Sequence, residues 1–88
     1  MPNIKSAAKR AELARVRTLR NSAIKSRMKT AIRKFNAALA SKDKQQAWDS
    51  LIQAVIAIDK AQAQGTIHKN AAARYKSGLY RRYNSVMQ

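Results

Sequence analysis

The chain has 88 residues with 19 Lys or Arg against 4 Asp or Glu, a formal charge of +15, no cysteine and one histidine. A chain this short forms a single small domain, because it has no room for a second hydrophobic core. The lack of cysteine excludes disulfides and thiolate sites. Four acids and one histidine are also too few for an ordinary hydrolytic site, which argues against an enzyme. We therefore expect no catalytic or metal-binding residue, no cofactor and no small-molecule substrate.

An uninterrupted helical composition characterises the whole chain. It has seventeen alanines, its only proline is at position 2, and its only glycines are Gly65 and Gly78. Because proline and glycine are the residues that most often end helices, the composition predicts an all-α fold. There is no apolar segment typical of a signal peptide and no apolar run of 18 residues, so we expect a soluble cytoplasmic protein without a membrane partner.

The first predicted helix covers about residues 6–40 and has an apolar seam at steps of three and four residues. The seam consists of Ile24, Met28, Ala31, Ile32, Phe35, Ala38 and Leu39. Toward the N-terminus the same face carries Arg17 and Arg10, and an unpaired cation is costly to bury. We therefore expect the bundle to end near Asn21.

This boundary divides the chain into two parts. Residues 5–21 are predicted to form a projecting basic helix, and residues 22–88 a three-helix bundle. The expected fold is thus a three-helix bundle with an extended, overhanging N-terminal helix. Its basic residues, distributed around several faces, suit a crevice walled by phosphates.

The second predicted helix covers about residues 44–64, with Ser41 or Asp43 as its cap. Apolar residues occupy about half of its circumference, so it should be the central element. This arc contains Ala47, Trp48, Leu51, Ile52, Ala54, Val55, Ile56 and Ile58. Trp48 is expected in the core, and Asp59 is expected to pair with a basic residue of a neighbouring helix.

Gly65 is well placed to end the second helix with a positive φ, and Thr66 then leads into a third helix. The third seam consists of Ile67, Ala71, Ala72, Tyr75, Leu79, Tyr83 and Val86. Tyr75 and Tyr83 are accordingly expected in the core, while Tyr80 is a candidate for stacking on a base. Gly78, inside this helix, costs about 1 kcal/mol relative to alanine.

The segment that opens the third helix, residues 65–70, allows two interpretations. Free backbone amides beside Lys69 and His68 would form a phosphate site. Alternatively, the segment is an ordinary turn and helix cap, with His68 packed near the seam. The sequence leaves both open.

The charge is distributed unevenly along the chain. Residues 1–34 carry a net charge of +10, residues 35–68 are neutral, and residues 69–88 carry +5. Surface helices normally mix acids with bases, so two cationic segments on a neutral packing element indicate a polyanionic partner. The sequence therefore favours a nucleic-acid-binding protein.

Two groups of residues resemble the S20 family of bacterial small-subunit ribosomal proteins. The first group is Pro2-Asn3-Ile4-Lys5-Ser6-Ala7, Lys9-Arg10, Arg20-Asn21, Lys25-Ser26-Arg27, Lys29-Thr30 and Arg33-Lys34-Phe35. The second is Ile58-Asp59-Lys60-Ala61, Gly65, Ile67-His68-Lys69-Asn70 and Ala72-Ala73-Arg74. Both occur in family order, and together they span nearly the whole chain.

The resemblance implies a structural protein in the small subunit of a bacterial-type ribosome, in the cytoplasm. Such a protein binds small-subunit (16S) ribosomal RNA directly, bridges RNA helices early in assembly, and is expected to require few or no protein contacts. The residues expected to face RNA, from the resemblance and the charge map together, are Lys5, Lys9, Arg10, Arg15, Arg17, Arg20, Lys25, Arg27, Lys29, Arg33, Lys34, His68, Lys69, Asn70, Arg74, Lys76 and Arg81. A general DNA-compacting protein would share this composition and is the alternative.

Overall fold

The computed structural model describes the backbone of residues 2–87 and the side chains of residues 6–87. It contains three α-helices: α1 is Pro2–Ser41, α2 is Lys44–Ala63 and α3 is Lys69–Met87. No strand occurs in the backbone so described. The predicted all-α fold with three helices is confirmed.

The first helix is twice as long as either of the others. It has 40 residues, against 20 in α2 and 19 in α3, which corresponds to about 60 Å against about 30 Å. The molecule measures 66 × 22 × 13 Å. Every side chain of residues 6–20 is exposed, and Asn21 is the first that is partly buried. The N-terminal half of α1 therefore overhangs the bundle.

The hydrophobic core lies where α2 packs between α1 and α3. The largest fully buried side chains come from all three helices: Met28, Phe35, Leu51, Ile58 and Leu79. Within residues 6–87 no polar or charged residue is buried. Burial of apolar surface is thus the main stabilising term, and α2 is the central element as predicted.

Two aromatic residues expected in the core are exposed. Trp48 is 42% exposed and contacts Tyr83 edge to face, with ring centroids 5.4 Å apart. Tyr75 is 43% exposed. The predictions for Trp48 and Tyr75 are wrong because α1 and α3 meet over only a short stretch. The margins of the apolar arcs consequently remain open to solvent, as Ile56 and Val86 also do.

A tight turn joins α1 to α2. Lys42 has a φ of 60°, and its N–H donates to the Leu39 carbonyl over 3.1 Å. The Oδ1 of Asp43 then accepts the Gln46 N–H over 3.1 Å, which satisfies an amide that the first turn of α2 would leave without a partner. Of the two predicted caps, Asp43 is therefore the N-cap.

Replacing Asp43 by alanine should lower the free energy of unfolding by about 0.5–2 kcal/mol, because the Gln46 N–H loses its acceptor. Asp49→Ala is a matched control: it removes the same charge near the same helix N-terminus, but Asp49 accepts only from the exposed Gln45 side chain. That change should lower stability by about 0.5 kcal/mol or less. Urea denaturation followed by circular dichroism measures both. Equal losses would contradict the capping role of Asp43.

The connection from α2 to α3 begins with Gly65, whose φ is 75°. Its N–H donates to the Gln62 carbonyl over 3.0 Å, and the Thr66 N–H donates to the Ala61 carbonyl over 2.9 Å. These two bonds form a Schellman motif, in which glycine adopts the left-handed conformation without strain. The predicted role of Gly65 is confirmed.

Candidate nucleic-acid interface

The overhanging part of α1 carries a stripe of cations. Its five cations with described side chains are exposed, but Arg15 pairs with Glu12 over 2.8 Å. The other four fall within a sector of about 100° around the helix axis: Lys9, Arg10, Arg17 and Arg20. These four cations therefore cover a narrower part of the helix surface than cations distributed around several faces would. We call these four residues the overhang stripe.

The overhang stripe continues the face by which α1 packs on the bundle. Ile24, the first apolar residue of the α1 seam, lies in the same sector of the helix. At the boundary, the Thr66 hydroxyl in the α2–α3 connection donates to Asn21 Oδ1 over 3.3 Å. This contact holds the connection against α1 one turn from Arg17. Overhang and connection thus form a corner whose α1 side is cationic.

His68 belongs to this corner and acts as a helix cap. Its Nδ1 accepts the Asn70 N–H over 3.1 Å, and its carbonyl accepts the Ala72 N–H over 3.0 Å. The segment is thus a helix cap, as the second of the two interpretations has it, but the imidazole is exposed and does not pack near the seam. Capping by His68 occupies one amide of the first turn of α3, which leaves that turn fewer donors for a phosphate.

A groove of about 610 Å³ is lined by residues of both α1 and α2. Arg27 and Lys34 line its α1 side, Lys60 and Asp49 line its α2 side, and Ile24 and Ile56 contribute apolar surface. Three cations against one carboxylate, together with apolar surface, suit a partner with charged phosphates and uncharged sugars and bases.

A second groove, of about 400 Å³, lies on the other side of α1, between α1 and α3. Arg74, Tyr75 and Arg82 line it, with Ile32 on the α1 side. A guanidinium N–H of Arg82 donates to the Asn36 Oδ1 over 3.0 Å, which links the two helices. The two grooves therefore give the bundle cationic margins on both sides of α1.

The predicted site residues differ in their accessibility to a partner. Fifteen of them are exposed: Lys9, Arg10, Arg15, Arg17, Arg20, Lys25, Arg27, Lys29, Arg33, Lys34, His68, Lys69, Asn70, Arg74 and Arg81. Lys5 lies outside the residues whose side chains the structure describes. Lys76 is partly buried, and its Nζ pairs with Asp59 Oδ1 over 2.9 Å. The expected pairing of Asp59 is confirmed, and it makes Lys76 less available to a partner.

Two cations in the grooves, Lys60 and Arg82, were missed by the sequence prediction. Lys60 lies in the segment whose net charge is zero, which concealed it. Arg82 could have been found from helical spacing, because it follows Arg74 by eight residues, about 80° around the helix axis, and so lies on the neighbouring part of the α3 surface.

Two other kinds of site are absent from the part of the chain that the structure describes. No three His, Cys, Asp or Glu side chains there gather closely enough to hold a metal ion. No helix there combines the length and apolar character needed to cross a membrane.

Comparison with known proteins identifies the family. The family model described as "Ribosomal protein S20" matches residues 2–84. The small ribosomal subunit protein bS20 of Desulforamulus reducens is 55% identical over 86 residues, which are 98% of each chain. Those of Moorella thermoacetica and Heliobacterium modesticaldum are 58% and 51% identical, over 98% and 99% of this chain and 82% and 99% of their own. The chain therefore belongs to the ribosomal protein S20 family and is a structural component of the ribosome rather than an enzyme.

Proposed function

We propose that this protein binds small-subunit (16S) ribosomal RNA directly and helps the subunit assemble by holding separate RNA helices in a fixed relative orientation. The observation that carries the proposal is the overhang stripe, four exposed cations without a carboxylate partner among the described residues. A helix that extends beyond its bundle with such a stripe gains nothing for its own stability. It can, however, neutralise phosphates on a partner.

The family places the protein in the ribosome. Its relatives are small-subunit proteins of bacteria, so it is located in the small subunit of a bacterial ribosome, in the cytoplasm. Direct contact with RNA is supported by the charge of +15 and by the position of the cations.

The mechanism combines charge neutralisation with shape. One RNA segment would lie along the overhang stripe and in the corner beside Lys69 and Asn70. A second would follow the bundle, where cations line the grooves on both sides of α1. Since the molecule is 66 Å long, the two segments can belong to different RNA helices. Fixing their orientation lowers the entropy cost of later assembly steps.

Hydroxyl-radical footprinting on small-subunit RNA without other proteins tests this function. We expect protection at a few discrete sites, because the overhang and the bundle contact separate segments. Binding in this mixture would also show that few or no protein contacts are required. Uniform protection along the RNA would contradict the proposal, since it would indicate only non-specific attraction between charges.

A general DNA-compacting protein is the alternative function. It would bind duplex DNA as strongly as ribosomal RNA, because backbone phosphates are common to both. Duplex DNA added as a competitor to the footprinting mixture distinguishes the two. Retained protection of discrete RNA sites supports the ribosomal function, and loss of protection at equal phosphate concentration overturns it.

A further inference from the structure

Gly78 lies in the middle of α3, where neither packing nor backbone geometry requires a glycine. A Cβ added to Gly78 would have no atom within 4 Å, and the φ of this residue is not positive. Glycine inside a helix is nevertheless destabilising relative to alanine. A glycine that destabilises its helix and is not required by packing points to a binding partner that approaches the helix backbone at this position.

The surface around Gly78 is concave on both sides. On the side facing α1, Gly78 lines the groove of about 400 Å³ together with Arg74 and Arg82. On the other side, a hollow of about 300 Å³ is lined by Gly78, Arg74 and Arg81. Gly78 therefore lies where the two hollows meet, a position that we call the saddle. A side chain at this position would project into the space above the saddle.

The charges around the saddle are all positive. Arg74, Arg81 and Arg82 are exposed, and residues 69–88 contain no acid. Arg81 donates to the Ser77 hydroxyl and Arg82 to the Asn36 amide oxygen, so neither is neutralised by a carboxylate. Guanidinium groups present planar pairs of donors that fit phosphate oxygens. The complementary occupant is a chain of phosphates.

We propose that a single strand of RNA crosses α3 at Gly78, with its sugar–phosphate backbone against the helix and phosphates bound by Arg74 on one side and Arg82 on the other. This inference rests on the proposed RNA-binding function. The two arginines are eight residues apart, about 12 Å along the axis, so they bind different phosphates. The missing side chain at Gly78 lets the strand between these phosphates reach the helix.

The test compares Gly78→Ala and Gly78→Gln with the unchanged full-length protein, by thermal denaturation and by RNA binding. Both variants should be more stable, because alanine and glutamine are better helix formers than glycine and meet no neighbouring atom at the Cβ. Both should bind RNA more weakly, Gly78→Gln by about tenfold. In the footprint, one discrete stretch should lose protection while the others remain. Opposite changes in stability and affinity are the expected signature.

Ala63→Gln is the control, since it adds the same uncharged side chain at an exposed position that lines neither groove. It should bind RNA as the unchanged protein does. With Arg82→Gln, the RNA should lose protection at the same stretch as with Gly78→Gln. The slope of log K against log salt, which measures the salt dependence of binding, should fall by about 1.

Three results are separable. Gly78 variants that bind RNA with full affinity and leave the footprint unchanged would overturn the inference. The same result is expected if an acidic protein segment, and not RNA, occupies the groove. Weaker binding accompanied by lower stability would also overturn it, because the effect would then be structural. If the unchanged protein protects no discrete RNA site, the proposed function itself fails.

Discussion

Leu51→Ala is expected to lower the free energy of unfolding by about 2–5 kcal/mol. Leu51 is fully buried in α2, the helix that packs against both others. Its truncation removes apolar contacts and leaves a cavity. The three helices cannot close this cavity by shifting, because they pack on one another over short surfaces. Since a domain of this size has a total stability on the order of 5 kcal/mol, this one change is comparable with the whole.

The matched control is Leu19→Ala, which makes the same chemical change in the overhang, where the leucine is 59% exposed. It should change stability by less than about 0.5 kcal/mol. Guanidinium denaturation followed by circular dichroism measures both variants, and fluorescence of Trp48, the only tryptophan, reports on the α2–α3 contact. A loss in Leu19→Ala as large as that in Leu51→Ala would mean that the overhang is packed against another surface in solution.

Neutralising two residues of the overhang stripe is expected to have the largest effect on RNA binding. Arg10 and Arg17 are seven residues apart and share one face of α1. If each contacts one phosphate, Arg10→Gln combined with Arg17→Gln should reduce the slope of log K against log salt by about 2. The affinity near physiological salt should fall at least roughly tenfold. Stability should change little, because both side chains are exposed.

The control variant combines Lys42→Gln with Lys44→Gln. It reduces the net charge by the same amount, from +15 to +13, but at the turn at the far end of the bundle. Filter binding over a range of salt concentrations should leave this variant with nearly the original slope. Equal reductions in the two pairs would show that only total charge matters, which would contradict a binding role specific to the overhang.

Local features of the fold were predictable because their causes are local. The capping of α2 by Asp43 and the end of α2 at Gly65 depend on hydrogen bonds within a few residues of the chain. The apolar seam of α1 likewise follows from helical spacing and was found in the structure as predicted. Trp48 and Tyr75 were misplaced because spacing indicates which face is apolar and does not indicate how far a neighbouring helix covers it.

The candidate site was predictable as a set of cations and only partly as an arrangement. Each exposed arginine of the overhang could be inferred from charge and from the high free energy of burying an ion. The pairing of Lys76 with Asp59, by contrast, requires α2 and α3 to lie side by side. Lys60 lines one groove because α2 lies beside α1, and Arg82 lines the other because α3 lies beside α1.

The sequence by itself determined the helical class, the length of α1, the separation of the charge into two cationic segments and the absence of thiol chemistry. These properties depend on composition and on periodicity along one chain. Only the tertiary structure decided that the overhang stripe continues into a corner with the α2–α3 connection, and that Gly78 lies on a saddle between two cationic hollows. The physical reason is that a concave surface exists only where two elements approach each other, and that approach is set by packing between residues far apart in sequence.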